Sequence, residues 1–177
     1  TAALEAGIEP ASIAVLVNNA GITLRGTIEN FSQDDFLLQQ TINVNAPYFI
    51  VREALPRIGE GGRIINISSC VTRIAFPEII GYALTKGAID AFTLTLAQHL
   101  GSRGITVNAV APGAVDTDIN ADWLRGNQEA IDGVTADVAL GRLGQPEDIA
   151  KVVSFLASED GGWVTGQVID ATGGTHL

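Results

Sequence analysis

A tyrosine and a lysine four residues apart offer the most direct chemistry in this sequence. Tyr82 and Lys86 stand near the start of an apolar-periodic stretch that predicts a helix from Gly81 to about Leu100. Residues at this spacing share one helix face, so the ammonium would lie near the phenol. A nearby positive charge lowers a tyrosine pKa from its reference value of about 10. The pair predicts a general acid/base, although an ordinary helix with a half-buried Tyr and a solvated Lys has the same spacing.

Composition excludes several classes of function. The chain has 177 residues, 46% of them apolar, which is enough for one domain with a large core. A net charge of −10 without a Lys/Arg cluster argues against nucleic-acid and membrane surfaces, and favours a small organic substrate. The single Cys70 excludes an internal disulfide framework, and no Cys/His set has metal-ligand spacing. With no apolar run near the roughly 20 residues of a membrane span, we expect a cytoplasmic protein.

The elements around the pair alternate between buried strands and helices. Such alternation predicts an α/β fold with a parallel sheet and right-handed crossovers. The predicted strands are 13–17, 63–69, 105–110 and 166–170; the predicted helices are the end of one at 1–7, then 32–57, 81–100 and 146–158. The stretch 118–143 is polar and irregular, and it predicts a substrate loop or lid. Trp123 within it would either contact the substrate or cover the core.

Small and polar residues follow the first two strands. Asn18-Asn19-Ala20-Gly21 comes directly after strand 13–17, where an open α/β sheet presents its ligand crevice. The same four residues would also make an ordinary turn. Ser68 and Ser69 end the second strand, and strand parity places them on opposite faces, so at most one should face the crevice.

Pro47 interrupts the long helix predicted for 32–57. Proline has no N–H, so the carbonyl of Asn43 loses its helical partner and the helix should kink. A carbonyl without a partner normally binds a water or a ligand group. Asn43 is therefore a candidate functional residue.

Six motifs in order resemble those of the short-chain dehydrogenases/reductases, and the resemblance covers essentially the whole chain. They are Asn18-Asn19-Ala20-Gly21, Ile42-Asn43-Val44, Ile67-Ser68-Ser69, Tyr82-x-x-x-Lys86, Pro112-Gly113-x-Val115-x-Thr117 and Gly141-Arg142-Leu143-Gly144-x-Pro146-Glu147-Asp148. The resemblance implies a Rossmann-type, doubly wound parallel sheet. The 3-oxoacyl carrier protein reductases are the nearest likeness, and sugar, polyol and steroid dehydrogenases remain open.

The resemblance also implies roles for individual residues. Tyr82 would be the acid/base, and Lys86 would lower its pKa while holding the nicotinamide ribose. Ser69 rather than Ser68 would polarise the substrate oxygen, and Asn43 would hold a water that relays protons to Lys86. The cofactor would be NAD or NADP, and the residues implied to bind it are Asn19, Ala20, Gly21, Tyr82, Lys86, Pro112, Gly113, Val115 and Thr117.

The sequence departs from that family at its start. Family members begin with a strand, a glycine-rich turn and a helix that hold the pyrophosphate, and these 177 residues begin after them. We expect 1–177 to be the C-terminal two-thirds of one domain, with the first βαβ portion outside it. The chain would be part of a complete enzyme, a fragment, or a truncation completed by a partner.

The implied reaction is hydride transfer between a nicotinamide and a small carbonyl or alcohol substrate. The alternative is a catalytically inactive fragment that acts only through association. In either case the resemblance implies a homodimer or homotetramer, formed by the helices that carry Tyr82 and Asn43.

Overall fold

Four parallel strands form one sheet in the computed structural model, which describes residues 12–177. Their order across the sheet follows the chain, β1-β2-β3-β4. The strands are β1 (Ile13–Asn18), β2 (Ile58–Ile67), β3 (Thr106–Pro112) and β4 (Val168–Ala171). The predicted parallel α/β fold is confirmed. The predicted helix end at 1–7 lies outside the described residues.

Helices link the strands. They are α1 (Gln33–Gln40), α2 (Ala46–Ala54), α3 (Ile80–Leu100), α4 (Ala121–Leu124), α5 (Gln128–Ala136) and α6 (Pro146–Ala157). Ser32 caps α1, its Oγ accepting a hydrogen bond from the Asp35 N–H at 3.0 Å, and the long helix α3 runs as predicted. No helix of the described residues is long and apolar enough to cross a membrane.

The helix predicted over 32–57 is interrupted near Asn43, where Pro47 predicts a break. Between α1 and α2 the residues Thr41–Asn45 form a π-helical turn, in which the Ala46 N–H donates to the Thr41 carbonyl five residues earlier. Pro47 lies two residues beyond this turn. Because it has no N–H, the α-helical hydrogen bond to the Asn43 carbonyl cannot form. The widened turn places Asn43 almost fully inside the protein, with 1% of its surface exposed.

Strand β2 begins at Ile58, five residues before the predicted start, so the glycine-rich stretch does not end a helix. Ile13 of β1 pairs with Ile58 and Val15 with Arg63, so the four residues 59–62 stand opposite Ala14 alone and form an irregular bulge. Gly61 has a φ of +70° there, a backbone conformation that favours glycine. The glycines therefore shape the strand.

The stretch 118–143 is more ordered than predicted. It contains a 3₁₀ turn (Asp118–Asn120), α4 and α5. Two local features explain the difference. Leu124 is buried, with 1% of its surface exposed, and the Asn127 side chain caps α5 by accepting from the Ala130 N–H at 3.1 Å.

The core lies on both faces of the sheet. Ile64 belongs to a cluster that also contains Val51 of α2 and Leu100 of α3. Its neighbour Ile65 points to the opposite face and belongs to a cluster with Leu156 of α6. Helices on both faces make this a doubly wound, Rossmann-like sheet, as predicted.

A chain of buried polar groups crosses the middle of the sheet. The Asn18 amide donates to Asn66 Oδ1 at 2.8 Å, and the Asn66 amide donates to Thr93 Oγ1 of α3 at 2.8 Å. Asn66 and Thr93 are fully buried. These hydrogen bonds hold the carboxyl ends of β1 and β2 against α3, because leaving any of the buried polar groups without a partner costs free energy.

Replacing Asn66 should therefore weaken the fold. We expect Asn66→Leu to lower the free energy of unfolding by about 1–3 kcal/mol, because Thr93 and Asn18 lose their partner. The matched control is Asn45→Leu, on an exposed residue, which should change it by less than about 0.5 kcal/mol. Urea unfolding followed by circular dichroism measures both. Equal effects of the two variants would show that the hydrogen bonds of Asn66 do not stabilise the fold.

Candidate active site

Tyr82 and Lys86 lie on one face of α3, as predicted. The Lys86 ammonium is 5.4 Å from the centre of the Tyr82 ring. Lys86 is 4% exposed, and its Nζ donates a hydrogen bond to the Ile67 carbonyl at the end of β2, at 2.7 Å. The pair is held at the carboxyl edge of the sheet.

The expected direction of the Tyr82 pKa is wrong. Burial raises the pKa of the phenol above its usual value, and the hydroxyls of Ser69 and Thr23 oppose this only in part. Burial also lowers the pKa of Lys86 to about 8, with the nearby charge of Asp90 acting in the opposite direction. Loss of water around both groups therefore outweighs the attraction that the four-residue spacing suggests. At neutral pH the Tyr82 phenol is therefore protonated and most of Lys86 is charged.

The two serines after β2 have different partners. Ser69 is buried, and its Oγ accepts from the Val71 N–H at 3.4 Å at the start of a 3₁₀ turn (Cys70–Thr72). Its hydroxyl faces the Tyr82 phenol. Ser68 instead donates to Asp90 Oδ1 at 2.5 Å. Both partners lie on α3, and only Ser69 is directed at the tyrosine.

Asn43 contributes through its side chain. Its Oδ1 accepts from the Ile22 N–H at 2.9 Å, and its Nδ2 donates to the Ile22 carbonyl at 2.8 Å and to Thr85 Oγ1 at 3.1 Å. The π turn is thereby tied both to the segment after β1 and to α3. Pro47 predicts a role for the Asn43 backbone carbonyl, whereas these contacts are made by its side chain. The Thr85 hydroxyl also donates to the Tyr82 carbonyl at 2.8 Å, and no sequence motif marks this residue.

The turn after β1 approaches the lysine. A Cβ added at Gly21 would lie 3.4 Å from Asn43 Oδ1 and 3.6 Å from Lys86 Nζ, so glycine leaves space beside the ammonium. Asn19 and Ala20 are exposed at the same edge. Within the described part of the chain the Lys86 ammonium donates to one acceptor, the Ile67 carbonyl, and an ammonium has three N–H donors. The remaining donors and the open glycine suit the hydroxyls of a nicotinamide ribose.

The Pro112-Gly113 motif lies at the end of β3, on the same edge. A Cβ at Gly113 would come 3.1 Å from the Thr172 backbone, so the two segments approach closely. The buried Val115 forms an isolated bridge with Gly144, and its carbonyl accepts from Asn120 Nδ2 at 2.9 Å and from Thr117 Oγ1 at 3.4 Å. Val115 and Thr117 therefore belong to a hydrogen-bonded loop that follows β3, next to the end of β2.

One tryptophan and one cysteine lie near the site. The Trp123 Nε1 donates to Asn120 Oδ1 at 3.1 Å, and the Arg25 guanidinium lies 5.5 Å from the centre of the Trp123 ring. Trp123 thus joins the stretch 118–143 to the segment after β1. Cys70 is buried, as expected for a small packing residue, and burial raises its pKa. No group of His, Cys, Asp and Glu within residues 12–177 could hold a metal ion.

A family model described as enoyl-(acyl carrier protein) reductase matches residues 2–176, essentially the whole chain. A 3-oxoacyl-(acyl-carrier-protein) reductase FabG from Haemophilus influenzae is 38% identical over 167 residues, which cover 93% of this chain and 68% of the relative. The chain belongs to the short-chain dehydrogenase/reductase family.

Two further proteins are similar to this chain in sequence or structure. An uncharacterized oxidoreductase from Methylorubrum extorquens is 43% identical over 92% of this chain and 65% of its own length. The crystal structure of angucycline C-6 ketoreductase LanV with bound NADP is 43% identical, with a TM-score of 0.87 over 94% of this chain and 63% of that one. The chain thus spans slightly less than two-thirds of the length of these two proteins.

The raised Tyr82 pKa can be measured, because the sequence contains only two tyrosines. In Tyr48→Phe the phenolate absorbance reports Tyr82 alone. We expect Tyr82 to ionise at a higher pH in the folded protein than in the same variant unfolded in urea, because burial penalises the phenolate. Circular dichroism recorded in parallel shows which state is present. A Tyr82 transition at a lower pH in the folded protein would mean that the Lys86 charge outweighs burial.

Proposed function

We propose that this chain belongs to an NAD(P)-dependent oxidoreductase that transfers hydride between a nicotinamide and a carbonyl or alcohol carbon of a small molecule. The observation that carries the proposal is the convergence of Tyr82, Lys86 and Ser69 beside the open Gly21 turn, at one edge of the sheet. Open α/β sheets bind ligands at this edge.

Each side chain has a defined task in this reaction. Tyr82, protonated at neutral pH, donates its phenolic proton to the substrate oxygen during reduction and takes it back during oxidation. The Lys86 ammonium stabilises the phenolate that forms. The Ser69 hydroxyl donates to the substrate oxygen and holds it beside Tyr82. The nicotinamide, when bound, supplies or accepts the hydride.

The remaining site residues hold these groups and the cofactor. Lys86 also donates to the nicotinamide ribose through the N–H groups that Ile67 does not use. Asn43 holds the turn after β1 against α3, and its backbone carbonyl binds a water that relays protons to Lys86. The cofactor contacts the exposed turn and the loop after β3, at Asn19, Ala20, Gly21, Pro112, Gly113, Val115 and Thr117.

The names of the similar proteins narrow the substrate class. The Haemophilus influenzae relative is named a 3-oxoacyl-(acyl-carrier-protein) reductase, and the LanV structure is titled a ketoreductase with bound NADP. A 3-oxoacyl thioester or another ketone is therefore the first substrate to test, before sugars and polyols, and NADP the first cofactor.

Residues 118–143 act as a lid or substrate loop in this proposal. The large apolar side chains of Ile119 and Leu140 are 46% and 68% exposed, and such side chains can cover a substrate. Trp123 already contacts Arg25 across the gap to the segment after β1.

The chain also acts as a homodimer or homotetramer in the cytoplasm. Apolar side chains on α2 and α3 are about half exposed, among them Tyr48, Phe49, Ile50, Leu84 and Leu94. An exposed apolar face of this kind fits self-association. The same face favours the second candidate function, association without catalysis.

Nicotinamide binding separates the two candidate functions. For the oxidoreductase we expect NADPH or NADH to change its fluorescence and raise the melting temperature on addition to the protein. The inactive alternative predicts no response to either nucleotide, together with concentration-dependent assembly measured by sedimentation.

The Tyr82→Phe variant tests the acid/base role. We expect kcat/KM for NADPH-dependent reduction of a 3-oxoacyl thioester to fall at least about 100-fold, since phenylalanine cannot donate the proton. Nucleotide binding should persist, because the ring remains. The control, Tyr48→Phe, changes an exposed tyrosine on α2 and should keep nearly full activity. A fully active Tyr82→Phe protein would refute the mechanism.

A further inference from the structure

Asp90 of α3 is a half-buried acid that the proposed reaction does not use. It lies one helical turn beyond Lys86, so both side chains occupy the same face of the helix. The Ser68 hydroxyl, 2% exposed, donates to its Oδ1 at 2.5 Å.

Three consecutive residues at the end of β2 meet α3. The Ile67 carbonyl accepts from Lys86 Nζ, the Ser68 hydroxyl donates to Asp90, and the Ser69 hydroxyl faces Tyr82. The first two contacts fix the strand end on the helix at two points. The position of Ser69 relative to Tyr82 follows from them, because Ser69 is the next residue.

We propose that Asp90 is a positioning residue for the reaction: its bond to Ser68 sets Ser69 against Tyr82, and its negative charge keeps Lys86 in the ammonium form. The proposal rests on the proposed function, in which Lys86 acts as a cation.

The surroundings of Lys86 support the charge role. From β2 the Ile67 carbonyl faces the ammonium, and from the turn after β1 and the π turn come Gly21 and the Asn43 amide, all of them neutral. The Tyr82 phenol on α3 is neutral at pH 7, because burial raises its pKa. The nearby charge of Asp90 raises the pKa of Lys86, which burial lowers to about 8. Without that charge the pKa would fall further, and less of Lys86 would be protonated at neutral pH.

The charge can be tested without cofactor, since Lys86 and Lys151 are the only lysines of the sequence. Acetic anhydride acylates free amines, and peptide mass spectrometry separates the two sites. In Asp90→Asn the amide oxygen can still accept from Ser68, but the charge is lost. At about pH 6.5 we expect acylation of Lys86 relative to Lys151 to rise roughly five- to tenfold, as the midpoint of its pH profile falls. An unchanged profile would overturn the charge role.

Two further variants separate charge from general loosening of the fold. Asp160→Asn removes an exposed acid elsewhere and should leave the profile of Lys86 as it is. Ser68→Ala keeps the Asp90 charge but removes the hydrogen bond. It should change the acylation of Lys86 at a given pH by less than about twofold. It should also lower kcat for the ketone more than it changes KM for the nucleotide. If the midpoint of the Lys86 profile moves as much in Ser68→Ala as in Asp90→Asn, the cause is a general loosening of the fold. That result would overturn the proposal. An unchanged kcat in Ser68→Ala would overturn the positioning of Ser69.

The outcomes keep this proposal apart from the proposed function. If Asp90→Asn shifts the Lys86 profile while the parent protein binds no nicotinamide, the charge coupling stands and the oxidoreductase function fails. If the parent protein is an active reductase and the profile does not shift, the function stands and the role of Asp90 falls.

Discussion

The burial of one ammonium group, that of Lys86, is the constraint on which the site depends. Taking a charge out of water is costly, and the structure offsets that cost with the Ile67 carbonyl and the nearby charge of Asp90. Both partners lie where β2 meets α3, so satisfying the charge also fixes the strand end on the helix. The same junction brings the Ser69 hydroxyl to the Tyr82 phenol.

On the other side of the site, the side-chain amides of two asparagines hold neighbouring segments against α3. Asn43 makes three hydrogen bonds that hold the turn after β1 and the π turn against α3. Asn66 ties β1 and β2 to the same helix deeper in the sheet. A region this rich in buried polar groups is rigid when every group has a partner, which is what a site needs to hold reacting atoms. It also excludes water, which explains why burial dominates the pKa of Tyr82.

Membership of the short-chain dehydrogenase/reductase family is consistent with this arrangement, and the match runs along essentially the whole chain. β1 forms one side of the described sheet, where Val15 and Val17 are each 40% exposed. On the helical side, the apolar residues of α2 and α3 are also partly exposed. Both surfaces adjoin elements that carry site residues. A group that packed on either surface would therefore also restrict the movement of the site.

Local patterns in the sequence were enough to predict the parallel α/β sheet, the helix α3 and the shared face of Tyr82 and Lys86, because apolar runs and a four-residue spacing act over short distances. The break in the helix near Asn43 was also predictable, because Pro47 stands only four residues away. The bulge before Arg63, the bond from Ser68 to Asp90 and the raised Tyr82 pKa could not be predicted in this way. Each depends on residues distant in the chain and on how much water remains around a group. Those quantities exist only once β2 and α3 have packed together, so a motif can name the reacting residues but not their protonation.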